Sequence, residues 1–153
     1  MKRKLIFLVL VLTILLHGSL NVSADVDTGA LNTAMLDSIN QLRASRGVGP
    51  LSIDTGLVTI ANVRSQEASV KWSHTRPDGT QGADMISANK WRGENLSYVT
   101  GTEDVAEASK IMFDNLVASP THYDNMVFNQ FTKIGIATYV ANGKITVAYM
   151  FSS

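Results

Sequence analysis

Two imidazoles and a carboxylate, His74, His122 and Glu94, are the side chains here whose types could do chemistry near neutral pH. Each sits in a short polar segment rich in turn-forming residues. His74 lies in Trp72-Ser73-His74-Thr75-Arg76-Pro77-Asp78-Gly79, and Glu94 in Gly93-Glu94-Asn95-Leu96. His122 lies in Ser119-Pro120-Thr121-His122-Tyr123-Asp124-Asn125. Gathered in one pocket, such a set could hold Zn²⁺ in an open site completed by water. It could serve as general acid and base. It could also hydrogen-bond to itself and pin three loops together. A glycine beside Glu94 permits close backbone approach, and Asn95 offers both donor and acceptor atoms. Other chemistries lack their signatures. There is no Gly-x-Ser-x-Gly, no His-Glu-x-x-His and no phosphate-cradling glycine loop.

Helices must bring these segments together. Leu31, Met35, Ile39 and Leu42 recur at helical spacing between Ala30 and Ser45, with Arg43 and Arg46 near the end where cations suit the helix dipole. Leu51-Ser52-Ile53 is a bridge, after which Asp54 caps a second helix running to about Lys71. Leu57, Ile60, Ala61, Arg64 and Ala68 form its stripe, and Glu67 borders that stripe, where a carboxylate could look into a cleft. Arg76-Pro77-Asp78-Gly79 is turn chemistry, and Ala83 to Asn89 suggests a short helical piece.

The region from Trp91 to Tyr98 is the best donor of an extra strand. A third helix is expected from Thr102, its buried face including Val105, Ala108, Met112 and Leu116. Pro120 then opens a short helix carrying His122 and Met126 one turn apart. Asn142-Gly143 between two β-branched runs, 133–140 and 145–151, is a strong hairpin signal. Trp72, Trp91, Phe113, Tyr139, Tyr149 and Phe151 read as core, and Tyr98 and Tyr123 as groove residues.

The chain has 153 residues, enough for one domain. Residues 1–24 read as a secretory signal peptide: a basic start, an apolar run from Leu5 to Leu16 too short to span a bilayer, and Val22-Ser23-Ala24 before the cut. Residues 25–29 form a short leader, and the domain occupies 30–153. Cleavage leaves 10 basic and 13 acidic side chains and no basic tract, which argues against a nucleic-acid binder. The expected location is outside the cell, with membrane contact only through the signal before cleavage. There are no cysteines, so thiol catalysis is excluded.

The three polar segments, in this order, resemble the CAP superfamily of cysteine-rich secretory, antigen 5 and pathogenesis-related 1 proteins, also called the SCP domain, and in particular its small bacterial branch. The resemblance runs from about Leu31 to Phe151 and includes Ile134-Gly135-Ile136 and the closing hairpin. It implies an α+β fold, an α-β-α sandwich with a small central antiparallel sheet between helical layers. It also implies an open cleft in which His74 and His122 match the family's two histidines and Glu94 its first glutamate. The family's second glutamate has no clear match: Glu107 comes too early, and Asp114 and Asn115 are imperfect. Leu116 stands where a tryptophan is common.

The leading expectation is a secreted binding module whose cleft, formed by His74, Glu94, His122, Asn125 and Glu67, takes Zn²⁺ at the two histidines, or a lipid, peptide or other small ligand. The second is a metal-assisted peptidase with Glu94 as general base. The third is a structural domain for host or partner interaction, in which the same residues tie loops together.

Overall fold

The computed structural model describes residues 25–153; the expected signal peptide, 1–24, lies outside the described residues. The elements are α1 (Thr28–Ser45), β1 (Ser52–Ile53), α2 (Thr55–Val70), β2 (Arg92–Thr100), α3 (Val105–Ala118), α4 (Pro120–Val127), β3 (Lys133–Ala141) and β4 (Lys144–Ser152). The sheet order is β1-β3-β4-β2. β2, β4 and β3 pair antiparallel. β1 pairs parallel with β3, so the sheet is mixed where an antiparallel one was expected. The Leu51-Ser52-Ile53 bridge has joined the sheet edge because Ser52 and Asp54 donate to the carbonyls of Thr132 and Ile134.

Local chemistry places the helix starts. Asp27 accepts from Ala30 N and starts α1 inside the expected leader. Asp54 accepts from Leu57 N and caps α2. α3 starts after Asp104, which accepts from Glu107 N; Thr102 lies outside the helix and bonds to Glu107 and to Asp104 N. The helical piece expected over 83–89 is a single 3₁₀ turn, Gly82–Met85. The β3–β4 hairpin turns on Asn142 and Gly143, both with positive φ.

Alternation along the strands divides the core in two. Ile134, Ile136, Val147, Tyr149 and Phe151 face α1, α3 and α4. Leu96, Ala137, Ala148 and Met150 face α2. The result is an α-β-α sandwich. Tyr149 and Phe151 are core as expected, but Trp72, Trp91 and Tyr139 are exposed, Trp91 by 59%. Trp91 lies against Phe128 at the start of an aromatic chain that reaches the core through Phe131 and Phe151.

Arg43 is buried in the α1 side rather than serving as a surface cation. It donates to the carbonyls of Gly49, Met126, Phe128 and Phe131, tying α1 to the end of α4 and the segment that follows it. On the other side, β3 meets the first turn of α2 at Gly135, where a Cβ would collide with the backbone of Leu57 and Val58. Gly135→Ala should therefore force α2 off the sheet and cost about 1–3 kcal/mol in urea denaturation; an unchanged midpoint would show that the two backbones separate freely.

Candidate functional site

The geometry of the site begins with β2, an edge strand of the described sheet. Its consecutive residues point to opposite faces. Glu94 points to the α2 face, where its carboxylate accepts from Arg64 Nε at 2.6 Å and Arg64 Nη2 at 3.2 Å. The same carboxylate meets His74 Nδ1 at 2.8 Å. An ionised carboxylate only accepts, so the hydrogen of this contact is on His74 Nδ1, and in the neutral ring Nε2 is then the acceptor. Asn95 points to the other face and donates to the carbonyl of His122 on α4 at 2.8 Å. Asn125, one turn further along α4, donates to Asn95 Oδ1 at 2.8 Å and to the Glu94 carbonyl. Gly93 completes the set: a Cβ there would press on Asn125 and the Phe131 ring. The two imidazoles, reached from opposite faces, meet at the open edge with ring centroids 5.9 Å apart.

Burial distinguishes the partners. The Arg64 side chain is 1% exposed and that of Glu94 3%, whereas the His74 side chain is 51% exposed. Arg64 also donates to Glu67 and to the Ser73 carbonyl. Arg76 grips both oxygens of Glu67. These bonds tie the 73–79 turn to α2. Burial pushes the Glu67 carboxyl up, but bonds from Arg76 and Arg64 outweigh it and hold the group below the usual carboxylate range. The turn has the form expected from Pro77, Asp78 and Gly79: Gly79 takes positive φ, and Asp78 accepts from Thr80 and Arg76.

The structure brings together His74, His122 and Glu94, with Asn125 behind them. Glu67 joins through Arg64 and pairs with guanidiniums. Asp114 is exposed and bonded to Lys110. Asn115 lines the groove beside His122. Leu116 is core. Tyr98 lines that groove as expected, while Tyr123 lies beneath the Arg46 guanidinium. Arg64 had no role assigned from sequence, although its place on the apolar stripe of α2 was a usable signal: a cation at a core position needs a buried partner.

The side-chain donors the site offers a metal are two imidazoles, one fewer than the three protein ligands usual in an open zinc site. The set does not fit a closed structural site. Among the described residues no group of three or more His, Cys, Asp or Glu side chains is arranged to hold a metal ion.

The cysteine-rich secretory protein family model, CAP, matches residues 36–151. The chain belongs to the CAP family. A relative from Bacillus subtilis (strain 168), the uncharacterized protein YkwD, is 29% identical over 128 residues, covering 80% of this chain and 48% of the relative. This CAP chain thus spans about half the length of that curated relative. An outer surface protein from Borrelia burgdorferi superposes with a TM-score of 0.67 at 16% identity, over 79% of this chain and 90% of its own. An extracellular SCP-domain protein from Bacillus anthracis gives 0.60 at 19% identity, over 80% and 40%. These likenesses show the CAP fold. Among the described residues no helix is long and apolar enough to cross a membrane.

Two predictions test this geometry. Burial lowers the His122 pKa below its ordinary 6.5, and the neighbouring His74 lowers it further. Stability linked to His122 is therefore full above about pH 6.5 and falls as pH drops through the lowered value. NMR titration should place the His122 midpoint below 6.5, and His74→Ala should restore only a small part of the shift because burial is the larger cause. Full restoration would make His74 the dominant influence. Separately, a Cβ on Gly82 would collide with the Glu94 carboxylate and Arg64 Nε. Gly82→Ala should disrupt the ion pair at a cost of about 3 kcal/mol and broaden the His74 ring signals; sharp, unshifted signals would count against the clamp.

Proposed function

We propose that this chain is a secreted CAP domain that binds a ligand in its cleft, outside the cell or in the envelope, with His74 and His122 as the binding pair. The carrying observation is the state of Glu94. Its carboxylate is buried and meets both Arg64 and His74. That arrangement supports Glu94 as the group that orients His74, in the manner of a carboxylate behind a metal-ligating histidine. It weighs against the peptidase reading, in which Glu94 would be the general base on a water. To act so, the carboxylate would have to release His74 or Arg64 inside a nearly dry site.

Zn²⁺ is the ion this pair suits. His74 Nε2 and the free ring nitrogen of His122 would hold it, and bound there it would supply a Lewis acid to anchor a polar ligand group. The lowered His122 pKa favours the neutral, ligating form. The half-exposed ring of His74 also weighs against a purely structural role, since a histidine that only ties loops together gains little by facing solvent.

A calorimetric Zn²⁺ titration near neutral pH tests the reading. One-to-one binding should disappear in both His74→Ala and His122→Ala, and Glu94→Gln should weaken it by about 10–100-fold. Equal affinity in wild type and both histidine variants would sink the paired-histidine site. Peptide hydrolysis lost in Glu94→Gln with Zn²⁺ still bound would restore the peptidase reading.

A further inference from the structure

A groove of about 490 Å³ opens beside His122 and runs along the last part of β2. Its lining includes Leu96, Ser97, Tyr98, Val99 and Thr100, five consecutive residues of one strand. A pocket resting on the face of a sheet touches alternate residues; one touching every residue in turn lies along the edge. The walls agree. Trp72, at the end of α2, stands on one side, and Ile111, Asn115 and Leu116 of α3 stand on the other. The groove is therefore a trough between the two helical layers, with the free edge of β2 as its floor. Alternate residues of such an edge turn N–H and C=O groups outward without a partner strand.

A cation lies over two of the rings that line the trough. Lys144 is the register partner of Thr100 at the close of β2. Its ammonium lies 4.8 Å from the centroid of the Tyr98 ring and 5.5 Å from that of Trp72, with the Ser69 carbonyl at 3.4 Å. Two ring faces and a carbonyl hold the cation in place. His122 lines the trough as well. A strand of five residues spans roughly 17 Å, so such a segment laid along Leu96–Thr100 would run from His122 past Tyr98, over whose ring the ammonium lies.

We propose that the β2 edge receives an extended peptide bearing an acidic residue, which adds a strand to the sheet with its carboxylate at Lys144. Main-chain bonds to the edge supply affinity, and alternate side chains of the peptide enter the two walls. The inference rests on the ligand-binding reading above and names the class of ligand. A hydrocarbon chain would fill the walls but leave the edge N–H and C=O groups unpaired, a cost that the peptide avoids.

The test pans random octapeptides on phage against the full chain, then resynthesises the selected sequence. Selected peptides should carry an acidic residue. Methylation of alternate backbone nitrogens should lower affinity by at least about tenfold while the intervening ones tolerate it, because only every second N–H of an added strand faces β2. Lys144→Glu should weaken binding by about tenfold or more, and Ile111→Arg, on the exposed wall, should block it. Hydrogen exchange at 96–100 should slow on binding. Failure to enrich any sequence would overturn the proposal. So would indifference to both backbone methylation and Lys144→Glu, or a concentration-dependent dimer that Ile111→Arg breaks, which would assign the edge to a second copy. Zn²⁺ titration of the same samples separates the two readings. Peptide binding without Zn²⁺ binding removes the histidine site alone, and Zn²⁺ binding without peptide binding removes the edge site alone.

Discussion

The Arg64–Glu94 pair is the interaction on which the site depends. It joins α2 to the edge strand β2 with two bonds from one guanidinium to one carboxylate, both side chains almost wholly out of water. Charges so placed are costly unless matched, and losing one partner of such a pair typically costs about 3–5 kcal/mol. Gly82 closes over the pair because only a residue without a side chain fits there. Once Glu94 is fixed, so is His74, whose Nδ1 it holds. The remaining donors of Arg64 reach Glu67 and the Ser73 carbonyl, so the cation that fixes the carboxylate also anchors the loop carrying the histidine.

The period of two in a β-strand does the rest. Gly93-Glu94-Asn95 assigns one residue to close approach and one to each face. Gly93 lets Asn125 and Phe131 come near, Glu94 reaches to the α2 side, and Asn95 reaches to the α4 side. A pair of histidines drawn from both helical layers can meet only past the end of the sheet, which makes an edge strand the necessary carrier. A central strand would have a neighbour where the imidazoles now stand. The exposure of the β2 edge, ordinarily an aggregation hazard, is thus a consequence of how the site is built.

Much of this was legible in the sequence wherever the signal was local. Asn142-Gly143 specified a hairpin because both residues must take positive φ, and Asp54 specified a helix start. The three polar segments specified the family and the residues that meet at the sheet edge. What was not legible depended on long-range pairing. Arg43 read as a cation serving the helix dipole, and Arg64 as a member of the α2 stripe with no partner assigned. Each is buried, one among four carbonyls and the other against two carboxylates. Each sits on the apolar side of its helix, and that position carried the signal. Trp72 and Trp91 read as core from their spacing. Trp72 instead lies over Tyr98 at the rim of the trough, a placement decided by where α2 ends against β2. β1 was unreadable as a strand because two residues have no periodicity, and its pairing is set by Thr132 and Ile134, far along the chain.

Because the site draws one half from each layer, it is coupled to the docking of those layers. The core on the α2 side and the core on the α1, α3 and α4 side share only the sheet. A ligand engaging both imidazoles therefore binds the assembled sandwich and has little hold on either half alone. By linkage it stabilises the fold by RT ln(1 + [L]/Kd), about 2.7 kcal/mol at a hundredfold excess over Kd. A site contained in one layer would confer the same total stabilisation but could leave the other layer free to open locally. Here an opening of either layer parts the histidines, so a bound ligand suppresses both kinds of opening together. The placement of the pair at the sheet edge thus couples any ligand that engages both imidazoles to the integrity of the whole domain.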